Sequence, residues 1–306
     1  MKGEAVMLGE RFEVRRDDPS YPGFLRAIDD PPPCLYAIGD LAALKRPALA
    51  IVGARKATPY GLSCAHRFAK RAALGEVAVV SGGAIGCDQA AHRGALEGGG
   101  CTIVVLGCGA DVLYPAKARP LFNEVLERGG VLVSEAPWGA PPSRWGFVRR
   151  NRIIAALAHA TLIVEAGLPS GTFSTADATL AQGKDVLAVP GSIFSKESRG
   201  SNRLIAQGAV PIVDDLSFED ALNATFGCFR YALPAQGPGT TGVGGGEGEG
   251  WDQRALSALT ASPMRPDELV GVCGGDVIAV IRNLSQLEMA GRIERLRDGR
   301  YTTRQR

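Results

Sequence analysis

Val77-Ala78-Val79-Val80-Ser81-Gly82-Gly83-Ala84-Ile85-Gly86-Cys87-Asp88 is the stretch on which the fold turns. Four apolar residues in a row run into a serine and a glycine-rich bend, and a helix-forming segment, 87–97, follows. An uninterrupted apolar run, in place of an alternating one, is what a strand looks like when both faces of its sheet are covered. Glycine in the bend lets the backbone approach a neighbour or a bulky anion, and the following helix aims its first N–H groups at the same spot. The same unit recurs in both directions along the chain. Strands are predicted at 48–52, 77–80, 102–106, 131–134, 160–165, 185–189 and 210–213, with helices at 60–74, 87–97, 119–128, 149–158 and 172–182 between them. Such alternation predicts a doubly wound, mostly parallel α/β sheet, in which ligands sit beyond the carboxyl ends of the strands.

Those strand ends hold the notable residues. Arg55 follows the first run, Ser81, Gly82 and Gly83 the second, Gly107-Cys108-Gly109 the third, Glu135 the fourth, and Glu165 and Ser170-Gly171-Thr172 the fifth. Val112 stands where G-x-G-x-x-G wants its third glycine, and no G-x-x-x-x-G-K-[ST] occurs. A dinucleotide fingerprint is therefore weak, and a triphosphate loop is absent. The turn at 81–86 reads either as tight packing of helix on sheet or as a backbone-lined phosphate pocket. Ser81 and Ser170 lie outside any G-x-S-x-G elbow, and Asp88 near a helix start is a dipole partner before it is an acid or base. No catalytic constellation and no cofactor site emerges.

The segment Pro142-Ser143-Arg144-Trp145-Gly146-Phe147-Val148-Arg149-Arg150-Asn151-Arg152 interleaves four arginines with two aromatics where a loop is expected to enter a helix. Guanidinium groups neutralise phosphates, and a flat ring offers an unpaired base a stacking surface. The alternative is a solvated basic helix start with both aromatics in the core.

Composition bounds these readings. With 306 residues the chain accommodates about two domains. A net charge of +2 means that any polyanion site comes from local clustering of arginines. Seven cysteines without a C-x-x-C argue against a disulfide framework and a zinc module, which fits a reducing cytoplasm. His66, His92 and His159 are not in metal-ligand spacing. No apolar run approaches the roughly 18 residues of a membrane span, and no export signal opens the chain.

Residues 1–47, punctuated by prolines, read as an irregular lead-in packed on a main domain at 48–230. The glycine-rich run within 231–250 reads as a flexible tether spanning roughly 20–25 Å. Beyond it, 251–306 predicts three helices and a β-hairpin turning at Asp298-Gly299, a small winged-helix domain. Val277, Val280, Ile281, Leu284 and Leu287 mark the buried stripe of its last helix, while Arg292, Arg295, Arg297, Arg300 and Arg304 gather on the wing. This favours an accessory DNA or protein contact over sequence-specific readout.

Taken together, several blocks resemble the DprA/Smf family, the DNA-processing proteins of bacterial natural transformation. They are Val52-Gly53-Ala54-Arg55, Ser81-Gly82-Gly83-Ala84-x-Gly86-x-Asp88-x-x-Ala91-His92, Tyr114-Pro115, Ser134-Glu135, Phe147-x-x-Arg150-Asn151-Arg152-Ile153-Ile154, Glu165-Ala166, Ser170-Gly171-Thr172 and Val189-Pro190-Gly191. The blocks stand in family order across about residues 20–225. The resemblance implies an extended Rossmann-like domain that binds single-stranded DNA, dimerises, and helps load a RecA-type recombinase onto DNA held by single-strand-binding protein. It implies no turnover and no nucleotide cofactor. By resemblance, Arg55 contacts a backbone phosphate, Ser81, Gly82 and Gly83 form the phosphate-facing turn, and Phe147 stacks a base. Arg144, Arg150, Asn151 and Arg152 are its polar neighbours, Ser170 and Gly171 line the pocket, and Lys184 flanks the groove. Ala54 stands where the family more often has serine, and Val148 where proline usually follows the phenylalanine. The chain also begins too late for the N-terminal helical module of many members, so contacts of that module are not expected.

Two other functions compete with this one. A nucleoside-monophosphate hydrolase of the "lonely guy" type shares a Rossmann-like scaffold, but Thr175 stands where its signature P-G-G-x-G-T-x-x-E wants the catalytic glutamate. A winged-helix transcription regulator with a ligand-sensing domain is the other. The helix near 218–226 is the expected contributor to self-association.

Overall fold

The computed structural model describes residues 9–227, 251–273, 277–296 and 299–304. Among them, nine strands of the first unit, Met1–Arg230, join in one sheet. In chain order they are β1 (Arg11–Arg15), β2 (Cys34–Gly39), β3 (Ala48–Val52), β4 (Ala78–Ser81), β5 (Thr102–Val105), β6 (Val131–Ser134), β7 (Ala160–Ile163), β8 (Asp185–Ala188) and β9 (Val210–Pro211). Across the sheet the order is β1-β2-β6-β5-β4-β3-β7-β8-β9. Strands β3 to β9 pair in parallel, while β2 joins β6 and β1 joins β2 in antiparallel register. The chain thus steps from β3 outward to β6 and returns to place β7 on the opposite flank of β3, which makes the ends of β3 and its neighbours a topological switch point.

Helices α1 (Gly23–Arg26), α2 (Pro59–Leu74), α3 (Cys87–Glu97), α4 (Arg119–Glu127), α5 (Arg144–Leu157), α6 (Phe173–Ala181), α7 (Arg199–Ala206) and α8 (Asp215–Phe226) cover both faces. Ala48, Ala50 and Val52 of β3 cluster with Ile153, Ile154 and Leu157 of α5, Ala176 of α6 and Leu204 of α7. Leu49 and Ile51, pointing the other way, meet Phe68 and Ala72 of α2, Ala91 and Ala95 of α3, and Phe218 and Leu222 of α8. Burial on both faces is why every residue of this strand is apolar, and each fully buried Leu, Ile or Phe contributes about 1.5–3 kcal/mol.

Two features depart from the sequence reading. The lead-in contributes β1 and β2 to the sheet instead of remaining irregular. Arg11-Phe12-Glu13-Val14-Arg15 carries the alternating pattern of an edge strand with one covered face, too short and proline-flanked to stand out. Helix α5 begins at Arg144, five residues before its expected start at 149, because the Ser143 hydroxyl caps it by accepting from the Gly146 N–H at 3.0 Å.

The second unit, Tyr231–Arg306, contains α9 (Trp251–Ala261), α10 (Pro266–Cys273), α11 (Val277–Met289) and an antiparallel hairpin of β10 (Ile293–Arg295) and β11 (Tyr301–Thr303). Ala255, Leu259, Leu269, Val280, Leu284, Leu287, Ile293 and Tyr301 form its core. Ile281, expected in the buried stripe, is 47% exposed, since it lies a quarter-turn away from Val280, Leu284 and Leu287. The glycine-rich run at 234–250, Asp276, Arg297 and Asp298 fall outside the described residues.

Candidate nucleic-acid interface

A cleft of about 280 Å³ opens at the switch point. Arg55 and Lys56 from the loop after β3, Gly82, Ala84 and Ile85 after β4, Tyr114 and Pro115 after β5, and Phe147 and Arg150 on α5 line it.

Two glycines bring α5 to this place. A Cβ on Gly107, just past β5, would fall 2.6 Å from Phe147 Cδ1 and 3.0 Å from its backbone, and one on Gly146 would fall 2.5 Å from the Gly107 carbonyl oxygen. Gly107, read as the opening of a weak dinucleotide motif, is therefore the seat of Phe147. The Phe147 ring is half-buried, 5.4 Å from the Tyr114 ring at a 36° tilt, and the Arg55 guanidinium lies 5.3 Å above it. Tyr114 is 43% and Ile85 52% exposed, so the cleft mixes flat and apolar surface with cations at its mouth.

The loop carrying Arg55 is tied down from both ends. The Glu165 carboxylate at the end of β7, 2% exposed, accepts from the Thr58 N–H at 2.8 Å and the Thr58 hydroxyl at 2.7 Å. Burial raises the Glu165 pKa, and those hydrogen bonds oppose the shift. On the other side, Gly86 at φ +99° lies so close that a Cβ there would be 2.7 Å from the Arg55 carbonyl oxygen.

Under the glycine turn sits a buried charge. Arg150, 5% exposed, donates from Nη1 to the Gly82 carbonyl at 2.8 Å and to the Val105 carbonyl, joining the ends of β4 and β5. Burial pulls its pKa down to about 10, and nearby Asp88 offsets part of this. Asp88 is itself buried; desolvation raises its pKa, Arg150 counters, and its Oδ2 accepts from the Ala84 N–H at 3.3 Å. A Cβ on Gly82 would fall 2.5 Å from both terminal nitrogens of Arg150 and 2.6 Å from Asp88 Oδ2. The Ser81 hydroxyl points inward, donating to the Ile51 carbonyl at 2.6 Å with no exposed surface. Gly83 takes φ +71°, and its carbonyl accepts from Gln89 Nε2 at 3.2 Å.

The sequence-derived residues thus divide by place. Arg55, Gly82, Phe147 and Arg150 meet in the cleft, and exposed Arg144 stands on the same first turn of α5 as Phe147. Asn151 reaches the next turn, donating from Nδ2 to Ser174 Oγ at 2.7 Å and to the Gly171 carbonyl at 3.4 Å. Ser170 donates within that turn to Thr172 Oγ1 at 2.9 Å, and Gly171 is exposed. Arg152 turns away into a double hydrogen bond with Glu135, both at 2.8 Å. Lys184 donates to the Ala155 and Ala156 carbonyls at the far end of α5, and burial pushes its pKa down to about 8. Arg152 and Lys184 line a separate depression with Phe24, Asp29, Asp30 and Gln182. Sequence reading gave no site role to Lys56, Ala84, Ile85, Tyr114 or Pro115; Ala84 and Tyr114-Pro115 stood out only as members of motif blocks, without a role of their own.

Among the described residues, no group of three His, Cys, Asp or Glu side chains could hold a metal ion, and no helix is long and apolar enough to cross a membrane. Residues 13–224 match the family model of DNA recombination-mediator protein A, and residues 248–299 match that of the DprA winged helix domain. The chain is 41% identical over 201 residues to protein Smf of Escherichia coli K12, a match covering 66% of this chain and 54% of that protein. It is 38% identical over 192 residues to DNA processing protein DprA of Streptococcus pneumoniae, covering 63% of this chain and 67% of the relative. The chain's match thus takes in about half of the E. coli protein's length. The solved S. pneumoniae DprA structure superimposes with a TM-score of 0.64 at 35% identity, covering 69% of this chain and 74% of that one. DNA processing protein A of Helicobacter pylori, whose structure concerns its single-stranded DNA binding mode, superimposes with a TM-score of 0.65 at 28% identity, covering 74% of this chain and 100% of that one. With two family models meeting a mostly parallel α/β sheet and a winged-helix unit, the chain belongs to the DNA recombination-mediator protein A, or DprA, family.

Proposed function

We propose that this chain is a non-catalytic single-stranded DNA-binding protein, acting as a homodimer in the cytoplasm. It helps load a RecA-type recombinase onto DNA that single-strand-binding protein would otherwise hold. The observation that carries this reading is the exposed Arg55 guanidinium 5.3 Å above the half-buried Phe147 ring, with Tyr114 alongside. An unpaired base needs a flat face, which contributes about 1–3 kcal/mol per base, and the adjoining phosphate needs an exposed cation. Arg55, Lys56 and Arg144 are the exposed cations at or beside the cleft. Arg150, Ser81, Gly83 and Asn151 act by shaping the turns, while Ser170 and Gly171, in the loop after β7, extend the surface along the carboxyl ends of the strands. Arg152 and Lys184 anchor α5. The single-stranded DNA binding mode of the H. pylori relative supports the assignment. Residues 251–306 serve as an accessory module, with Arg292, Arg295, Arg300 and Arg304 exposed on the hairpin. The exposed Val210, Val213 and Leu216 beside edge strand β9 favour self-association near α8, whose own Phe218 and Leu222 are buried.

A nucleoside-monophosphate hydrolase is less well supported. Thr175, at the position of that group's glutamate, is buried in α6, and Glu165 is engaged by Thr58. Fluorescence anisotropy with labelled oligothymidine tests the proposal: tight, salt-sensitive binding, weaker for duplex, is expected. Absent or salt-independent binding would remove it. Free base released from adenosine monophosphate would favour the hydrolase, and loading of a RecA-type recombinase onto coated single strands tests the mediator role.

A further inference from the structure

Trp145 is 68% exposed and belongs to none of the apolar clusters of the described residues, an uncommon position for so large an apolar side chain. It leaves α5 two residues before Phe147, so at 3.6 residues per turn the two rings project from opposite sides of the helix. Val148 and Arg149, three and four residues on, share its side. The Arg149 guanidinium lies 5.0 Å from the Trp145 ring centroid and is held by Glu135 at 3.4 Å and Asp30 at 3.6 Å. One face of the indole is therefore backed by an anchored cation, and the rest of the ring is open to solvent. Packing within the unit does not account for the ring being there.

We infer that Trp145 is a second base-stacking platform, outside the cleft, so that a single strand crossing the start of α5 stacks one base on Phe147 and another on Trp145. The inference rests on the single-stranded DNA reading above and adds a subsite to it. Arg144, exposed one residue before Trp145 and three before Phe147, falls between the two rings around the helix at 3.6 residues per turn and meets the intervening phosphate. A helix with its side chains is about 10–12 Å across, which sets the separation of the platforms as a span that a few nucleotides of an unstacked strand cross. Indole stacking tolerates any base, as a sequence-independent binder requires.

The test compares the full-length wild type with Trp145→Ala, Trp145→Phe and Phe147→Ala, on oligothymidines of increasing length. Trp145→Ala should weaken binding of long oligomers by about 5- to 150-fold, the ratio for one lost stacking contact. Its effect should shrink towards none for the shortest oligomers that still bind. Trp145→Phe should keep most of the affinity but lose the quenching of tryptophan emission on DNA binding, because Trp138 and Trp251 lie elsewhere in the chain. Trp145→Ala binding long oligomers like the wild type, while Phe147→Ala is weakened, would overturn this inference and leave the single-stranded DNA reading standing. A wild type that binds no oligothymidine would sink both.

Discussion

Arg55→Ala and Arg150→Met separate two arginines that line one cleft in different states. Arg55 is exposed, its guanidinium resting on the Phe147 ring. Arg150 is 5% exposed, bonded to the Gly82 and Val105 carbonyls, and the main counter-charge to buried Asp88. On the proposed reading, removing Arg55 deletes one phosphate contact, which should flatten the slope of log affinity against log salt by about 0.7 for a single strand. Thermal stability should stay within about 0.5 kcal/mol of the wild type, as for other surface substitutions. Removing Arg150 leaves two carbonyls without their donor and Asp88 without its counter-charge. Breaking a buried charge arrangement from one side costs about 3–5 kcal/mol. At roughly 2–4 °C per kcal/mol for a unit of this size, the unfolding midpoint should drop by about 6–20 °C. Circular dichroism melts together with anisotropy titrations from about 50 to 200 mM salt read both quantities. Arg150→Met melting with the wild type while losing salt dependence would refute the division of labour, as would Arg55→Ala unfolding early with its slope intact.

Gly86→Ala should cost at least about 1–3 kcal/mol, since φ +99° strains an alanine, and should weaken DNA binding as well because the methyl group pushes on the Arg55 carbonyl; melts and anisotropy together check this. His92 has no exposed surface, its ring lies 2.7 Å from Thr102 Oγ1, and burial pushes its pKa down to about 3. The unfolded chain takes up that proton near 6.5 and the folded one only near 3, so in this window the unfolded state binds more protons and stability falls as pH drops. His92→Asn should lose less stability than the wild type between pH 7 and about 4.5, and equal losses would count against a buried neutral ring. Glu165→Gln turns an amide donor towards one of the two Thr58 donors and should lower stability by about 1–3 kcal/mol, measured by denaturant titration.

Much of the fold was legible because a strand covered on both faces has nowhere to put a polar residue. Val131-Leu132-Val133, for example, sends side chains into two different clusters and reads as one apolar run. Edge strand β1 and its neighbour β2 were not, because the segments are short and prolines punctuate the lead-in around them. In the site, Arg55, Gly82 and Phe147 were legible as a basic residue, a bend and a ring at strand ends. The difference between Arg55, Arg150 and Arg152 was not. They are one residue type, and what separates them is partners far along the chain: Arg150 bonds Gly82 across 68 residues and Val105 across 45, and Arg152 pairs with Glu135.

The sequence by itself determined the parallel part of the sheet, the winged-helix tail and the presence of cations and flat rings at the carboxyl ends of the strands, because these follow from local patterns of hydrophobicity and turn residues. Only the tertiary structure decided which cations face solvent and which are consumed in holding the turns, and it alone showed Gly107 as the seat of Phe147 and Trp145 as an open ring. Burial and counter-charge are set by residues distant in sequence, and the availability of a charged or aromatic side chain for a ligand depends on both.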